Sequence, residues 1–436
     1  MLKKRPKDAA LLKLYIVLVV CNTFELVTSK PLKRPSMQQD PIPFPAMVTI
    51  EDLHGLSVRA GGVIAELRKR MLLPEAKKSP PTLSSEKVAS ICGLNKGQIH
   101  YRVKNGAPPG VVASRGGRRE FSLVDAEAWA RAERAEYLRP KGAKAVTIAV
   151  AFFKGGVTKT TTVMTLAQGL SLLGHKILII DMDPQGSLTT LNGLLPDSEI
   201  TEEETLAPLF HGDQADVRYA IRDTYWPGIS LIPAASALFG AEFALPARQM
   251  QNPTTFEFWN VLDKGLEPVR DDYDVILVDT PPSLAYTNIA TFFAADGLIV
   301  PMTASLLDVA SSAQFWHLFA EVADSINRKM VTPKAFHFVH VLMSKVSHND
   351  TAAASVRDWI STVYGGKLLP VEIPLTTVTS TAAAEFATVF DVTKYLGDSR
   401  TYKRARDAYE ALALKVEEQI RLVWAKKLQE DGHEQT

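Results

Sequence analysis

Cysteine is almost absent from this 436-residue chain: only Cys21 and Cys92 occur, far apart and unaccompanied by other ligand residues. That excludes a disulfide framework and a cysteine-built metal site, and it fits a reducing cytoplasm. Net charge is also small, at +1 from 49 basic and 48 acidic side chains, so affinity for nucleic acid has to come from local patches rather than a global field. No apolar run is long enough to span a bilayer. The nearest approach, Leu11 to Val20, follows Lys3, Lys4, Arg5 and Lys7, is interrupted by Lys13, and leads to no clear small-residue cleavage site. Residues 1–46 therefore read as a disordered leader, or as sequence upstream of a start at Met47, with a membrane anchor as the alternative. No internal repeat is visible. Hydrophobic residues at 46% and charged residues at 22% describe an ordinary globular chain, long enough for two or three domains.

The stretch that organises the rest is Phe153-Lys154-Gly155-Gly156-Val157-Thr158-Lys159-Thr160-Thr161-Thr162. An apolar, β-branched run from Ala145 to Phe152 precedes it, and a helix-forming segment from Val163 to Leu173 follows. Strand, glycine turn, lysine, hydroxyls and helix is the order a phosphate-binding loop needs. Glycines let backbone N–H groups approach an anion, and the helix N-terminus adds partial positive charge. Residues Lys154 to Thr161 would form the cradle, Lys159 would neutralise the β- and γ-phosphates, and the Thr160 hydroxyl would sit on Mg²⁺. The pattern G-x-x-x-x-G-K-[ST] is not met, because Phe153 and Thr158 occupy both glycine positions.

Two acidic strand ends accompany the loop. A buried strand from Lys176 to Ile180 runs into Asp181-Met182-Asp183-Pro184-Gln185-Gly186-Ser187, and Asp274 to Asp279 is followed by Thr280-Pro281-Pro282-Ser283. Carboxylates at strand C-termini lie at the rim where doubly wound sheets bind ligands. An aspartate ending an apolar strand holds Mg²⁺, generally through water, in nucleotide-hydrolysing folds. Further apolar runs at Ile229–Pro233, Gly297–Pro301, Phe336–Met343 and Leu368–Ile373 alternate with helical segments such as Ser311–Arg328, which predicts a parallel sheet covered on both faces.

Upstream, Thr82 to Trp129 predicts a helix-turn-helix: Ser84 or Ser85 caps a helix through Ile91, Cys92-Gly93-Leu94 turns, and Asn95 or Lys96 opens a second helix towards Lys104. The turn Pro108-Pro109-Gly110, the run Arg115-Gly116-Gly117-Arg118-Arg119 and Phe121 resemble the wing of a MerR-like winged helix. No acidic residue lies between Lys87 and Arg119, whereas Lys96, Arg102, Lys104, Arg115, Arg118 and Arg119 are basic, which suits a phosphate-facing surface. Lys96, Gln98 and Arg102 are placed to approach base edges. A small helical domain with a solvated basic face is the alternative. Near the C-terminus a second cluster, Arg400, Lys403, Arg404 and Arg406, has no groove-reading motif and is assigned to phosphates alone; an ordinary solvated helix face is its alternative.

The loop Lys-Gly-Gly-x-x-Lys-[Ser/Thr] resembles the deviant Walker A of the ParA/MinD superfamily of dimerising ATPases. With the winged helix, Arg222 to Gly228 and Asp308 to Phe315, the chain is similar to ParA of the long plasmid-partition class, ParA/RepA-like, over roughly Met47 to Val423. That resemblance implies an α/β fold with a doubly wound, mostly parallel sheet, preceded by a small helical winged helix-turn-helix domain. The domains would be the leader 1–46, a helix and linker at 47–81 with a candidate dimerisation role, the winged helix 82–142 and the ATPase 143–436. It further implies that Lys154 reaches a partner's nucleotide in an ATP-bound homodimer, that Asp183 positions the attacking water, that Asp181 supports the magnesium shell, and that Asp279 belongs to the second switch. Implied partners are DNA, bound without sequence preference by the ATPase and at an operator by the winged helix, and a centromere-bound protein of ParB type, in a cytoplasmic, nucleoid-associated setting. Thr158 departs from the family's usual glycine, which bears on ATP turnover rather than binding. Two other readings are a repressor that senses nucleotide without partitioning, and a MinD-like membrane-positioning ATPase.

Overall fold

The computed structural model describes residues 48–71, 78–112, 119–347, 351–378, 386–392 and 398–434. The leader expected at 1–46 and the wing arginines Arg115 and Arg118 lie outside the described residues. The chain divides into two units, 1–62 and 63–436. Helix Ile50–Met71 starts on a reciprocal cap, in which Thr49 N–H donates to Asp52 Oδ2 at 2.8 Å and Asp52 N–H to Thr49 Oγ1 at 3.1 Å.

Within residues 63–436, strands β1 (Leu83–Ser84), β2 (Val111–Val112) and β3 (Arg119–Phe121) form an antiparallel sheet in the order β1-β3-β2. Helices Ser85–Ile91, Lys96–Lys104 and Leu123–Glu133 accompany it. Each start has a sequence cause: Ser84 accepts from Lys87 N–H, Asn95 forms a capping box with Gln98, and Ser122 forms one with Asp125. Between the first two helices Gly93 takes φ +65°, a left-handed turn open to glycine without strain. Val88, Ile99, Phe121 and Trp129 fill the small core, and Trp129 Nε1 donates to the Pro108 carbonyl at 3.0 Å.

The remaining strands form one eight-stranded sheet. They are β4 (Val146–Val150), β5 (Ile177–Asp181), β6 (Arg222–Asp223), β7 (Ile229–Ile232), β8 (Val275–Asp279), β9 (Gly297–Met302), β10 (Phe338–Val346) and β11 (Leu368–Pro374), in the order β11-β10-β9-β4-β8-β5-β7-β6. All neighbours are parallel except the edge pair β6–β7. The side chains of β4 alternate as a pleat requires. Val146, Ile148 and Val150 pack towards helix Lys159–Leu172 and the C-terminal helix Ser399–Glu434, whereas Ala149 faces Phe315 and Phe319 on the other side. The C-terminal helix buries an apolar stripe there: Tyr409, Leu412, Val416, Ile420 and Trp424 are each at most 2% exposed. The chain goes from β4 to one side of the sheet and from β8 to the other, so the order reverses at β4, and the crevice above its C-terminal end is where such sheets bind ligands. One helix start differs from the sequence reading. The helix expected from Ser311 begins at Leu306, and helix Leu123–Glu133 is followed by a 3₁₀ turn, Ala135–Tyr137.

Candidate nucleotide site and nucleic-acid surfaces

The turn after β4 delivers the loop into that crevice. Gly156 (φ +76°) and Thr158 (φ +77°) both take left-handed backbone. Glycine does so freely, whereas a threonine is strained there, which supplies the physical reason for glycine at the Thr158 position of other loops. The Thr158 hydroxyl is buried without a hydrogen-bond partner. Lys159 opens helix Lys159–Leu172 and is 8% exposed, and its Nζ donates to the Lys154 carbonyl at 3.1 Å. Burial lowers its pKa, against the opposing charges of Asp279 and Asp183.

Register explains the acidic side of the site. Asp181 on β5 and Asp279 on β8 are direct partners in the parallel pairing, so two carboxylates stand side by side at neighbouring strand ends. Asp181 Oδ2 accepts from Thr189 N–H and Oγ1, both at 2.8 Å, and its Oδ1 accepts from Asp183 N–H at 3.2 Å. Burial raises the Asp181 carboxyl to about 7 despite those bonds. Asp279 is 1% exposed and neither of its oxygens has a hydrogen-bond partner. Burial first, and then the charge of Asp181, push its carboxyl well above the usual range; the Thr160 hydroxyl opposes the shift without meeting hydrogen-bond geometry. A buried carboxylate without donors is costly unless a cation joins it. Asp183 is half-buried, and its Oδ1 accepts from Gln185 N–H at 3.0 Å.

The loop and Asp183 border a cleft of about 580 Å³ whose wall includes Lys159, Thr160, Lys345, Phe386 and Tyr409. The structure therefore brings the loop, Asp183 and both switch carboxylates together. Lys154 stands apart. Its ammonium pairs with the fully buried Asp308, which also accepts from Thr303 N–H at 2.8 Å and Thr303 Oγ1 at 2.7 Å. Sequence reasoning gave Thr189 and Lys345 no role, because their functional partners lie on other elements.

The basic residues divide into free and engaged ones. Lys96 and Lys104 are exposed on the second helix, and Gln98 is exposed too, although its side-chain oxygen takes the Asn95 N–H. Arg102 pairs with Glu133 at 2.5 Å, and the Arg119 guanidinium bonds the Pro109 carbonyl. In the C-terminal helix Lys403 and Arg404 are exposed and Arg400 is exposed beside Asp398 at 3.7 Å, whereas Arg406 lies over the Phe390 ring and bonds Glu410 at 2.9 Å and the Tyr402 hydroxyl at 2.8 Å. Acidity within the 87–119 window was a partial guide, since Glu133 reaches Arg102 from outside it.

One buried cluster went unseen in the sequence. Arg134, just after the third small helix, places its guanidinium on both oxygens of Glu417 at 2.6 and 2.7 Å, and His175 Nε2 lies 2.8 Å from the same carboxylate. Lys78 similarly reaches the Leu191 carbonyl at 2.9 Å and Asp391 at 3.0 Å. Among the described residues no helix is long and apolar enough to cross a membrane.

Residues 145–332 match the family described as an AAA domain. The chain is 29% identical over 366 residues to a provisionally named replication protein A of Rhizobium rhizogenes, covering 81% of this chain and 90% of that one. It is 34% identical over 246 residues to Protein SopA of Escherichia coli K12, covering 56% and 62%, and 28% identical over 229 residues to the chromosome partitioning protein ParA of Caulobacter vibrioides, covering 52% and 79%. A solved structure titled Partition Protein superposes with a TM-score of 0.58 over 86% of this chain and 98% of its own, at 18% identity, which speaks of fold alone. With its lysine-opened glycine loop and its paired strand-end carboxylates, the chain is similar to these partition proteins, and the AAA-domain match spans the loop and both carboxylates.

Proposed function

We propose that this protein is an ATPase of DNA partition, in which ATP binding drives homodimerisation and DNA binding and hydrolysis resets the cycle. The observation that carries the reading is the unpartnered, buried Asp279 carboxylate beside Lys159 and Thr160 of the glycine loop. A hard divalent cation fits that donor set, and Asp279 with Thr160 would hold Mg²⁺, through water or directly. When bound, the ion supplies charge compensation at the terminal phosphates. The chain's own residues do the rest. Lys159 meets the phosphate charge, the loop N–H groups cradle the oxygens, and Asp183 holds the water in line. Asp181, tied to Thr189, keeps the first switch helix Ser187–Leu191 over the site.

The experiment is phosphate release by wild type and Asp183→Ala, alone, with duplex DNA, and with a centromere-binding protein of ParB type. Asp183→Ala should retain ATP-bound dimers and lose turnover, by about a hundredfold or more. A mutant turning over at the wild-type rate would remove this role from Asp183, and a wild type that binds ATP without ever hydrolysing it would favour the nucleotide-sensing repressor.

Two DNA-binding surfaces are proposed. The second helix of the helix-turn-helix would read an operator through Lys96, Gln98 and Lys104, with the wing supplying phosphate contacts. Arg400, Lys403 and Arg404 would hold arbitrary duplex by phosphates. Arg406 is left out because its donors are already engaged. Deleting the helix-turn-helix is a poor test, since losing Arg134 strands Glu417 and His175 in the core. Point substitutions serve better. Lys96→Ala with Lys104→Ala should abolish operator footprints and spare binding to random DNA, and Arg400, Lys403 and Arg404 to Ala should do the reverse. Each lost phosphate contact should reduce the slope of log affinity against log salt by about 0.9. Gel shifts across a salt series decide it, and an operator footprint that survives the first pair contradicts the assignment. A lipid-facing C-terminal helix is disfavoured because its apolar stripe, Tyr409 to Trp424, is spent in the core.

A further inference from the structure

Strand β10 ends against the phosphate loop, and its last residues depart from regular pleating. Successive side chains of a strand point to opposite faces, so neighbours should not reach the same target. Here they do. Ser344, fully buried, donates its hydroxyl to the Val157 carbonyl at 3.1 Å, with the Met302 carbonyl further off at 3.4 Å. Lys345 donates its ammonium to the Gly156 carbonyl at 2.7 Å. The alternation is broken because Lys345 takes φ +51°, and the β10–β11 register slips between Met343 and Val346. A lysine in left-handed backbone is strained, and this one is exposed, so burial does not offset the strain.

We propose that Ser344 and Lys345 are positioning residues that hold the phosphate loop in its anion-binding orientation. The inference rests on the reading of this loop as the ATP site. A trans peptide is planar, so a carbonyl and the N–H that follows it point opposite ways. Fixing the Gly156 carbonyl on Lys345 turns the Val157 N–H away from β10, and fixing the Val157 carbonyl on Ser344 does the same for the Thr158 N–H. The two peptides so fixed lie between Gly156 and Thr158, both in left-handed backbone, where a flipped plane would present a carbonyl to the phosphates instead. Lys345 thus acts through the loop's own donors.

The test uses the full chain, a fluorescent ATP analogue and ADP as probes, and thermal unfolding without nucleotide. Lys345→Met keeps the stem and removes the donor, and Lys345→Gly also relieves the strained backbone. Both should bind ATP and ADP about tenfold more weakly than wild type, the worth of one charge-assisted hydrogen bond. Ligand-free melting should be unchanged in Lys345→Met and unchanged or higher in Lys345→Gly, and Lys345→Arg should restore most of the affinity. Undiminished affinity in both variants overturns the proposal, as does a loss that Lys345→Arg fails to rescue or that follows a fall in melting temperature. A wild type that binds neither probe would instead remove the ATP reading itself, which separates the two failures.

Discussion

Lys159→Ala is expected to abolish ATP binding, while Lys154→Gln leaves binding largely intact and removes ATP-driven dimerisation. Lys159 is buried at the loop's inner end, facing Asp279 and Asp183. Its removal leaves the switch carboxylates with no fixed cation and lets their negative charge repel the incoming phosphates. Stranding buried charge of this kind costs about 3–5 kcal/mol, or roughly a hundred- to a thousandfold or more in affinity. Lys154 is differently placed: its ammonium rests on Asp308, away from Asp279, so the cradle is complete without it. Glutamine is chosen over alanine because it leaves Asp308 a donor, where alanine would leave that fully buried carboxylate with the two Thr303 groups alone. Equilibrium binding of a fluorescent ATP analogue and sedimentation with and without ATP are the measurements. Equal loss of binding in both variants, with no separate dimerisation defect, would contradict the division of labour between the two lysines.

Asp279→Asn should separate stability from turnover in opposite directions. The wild-type carboxylate is buried without a hydrogen-bond partner, and Asp181 stands beside it in register. Both carboxyls are shifted upward, Asp279 well above its ordinary range and Asp181 to about 7, in each case chiefly by burial. A carboxyl raised on folding contributes stability that is full below its unfolded pKa, near 3.8, and is lost as pH climbs through the folded value. The nucleotide-free protein should therefore lose stability between about pH 5 and pH 8, and Asp279→Asn should flatten that decline by removing one of the two repelling charges. At pH 8 the variant should melt higher by a few degrees, from about 1–3 kcal/mol of relieved charge burial. Its hydrolysis should fall by about a hundredfold or more, because the cation loses the carboxylate that faces Lys159 and Thr160. Calorimetry at pH 6 and pH 8 without nucleotide, alongside phosphate release, checks both halves. A variant that melts lower than wild type at pH 8 would mean that Asp279 is already compensated inside the protein.

Much of this site was legible before any fold was known. The loop, the strand before it and the helix after it are contiguous in sequence, and each of the two switch aspartates ends an apolar strand. The cap residues Ser84 and Asn95 likewise marked helix starts within a residue. Less was legible where an element's end depends on distant packing. Helix Leu306–Asn327 begins earlier than its apolar spacing suggested because Asp308, in its first turn, is drawn inward by Thr303 and Lys154. The basic clusters were legible as composition, but not as free charge. Arg406 and Arg102 look no different from Arg404 and Lys104 in the sequence, and they differ only through Glu410, Tyr402 and Glu133.

The sequence by itself determined the parallel sheet, the phosphate loop and the order of the two switch strands, because periodicity, glycine placement and strand-terminal carboxylates are local signals. Tertiary structure alone decided that Asp181 stands opposite Asp279, that Lys154 rests on Asp308, and that the helix-turn-helix is fastened through Arg134 to Glu417 and His175. Each of those depends on which strands are neighbours and in what register, a choice made by burying whole faces at once. Partners about a hundred residues apart or more leave no mark on the local pattern of either.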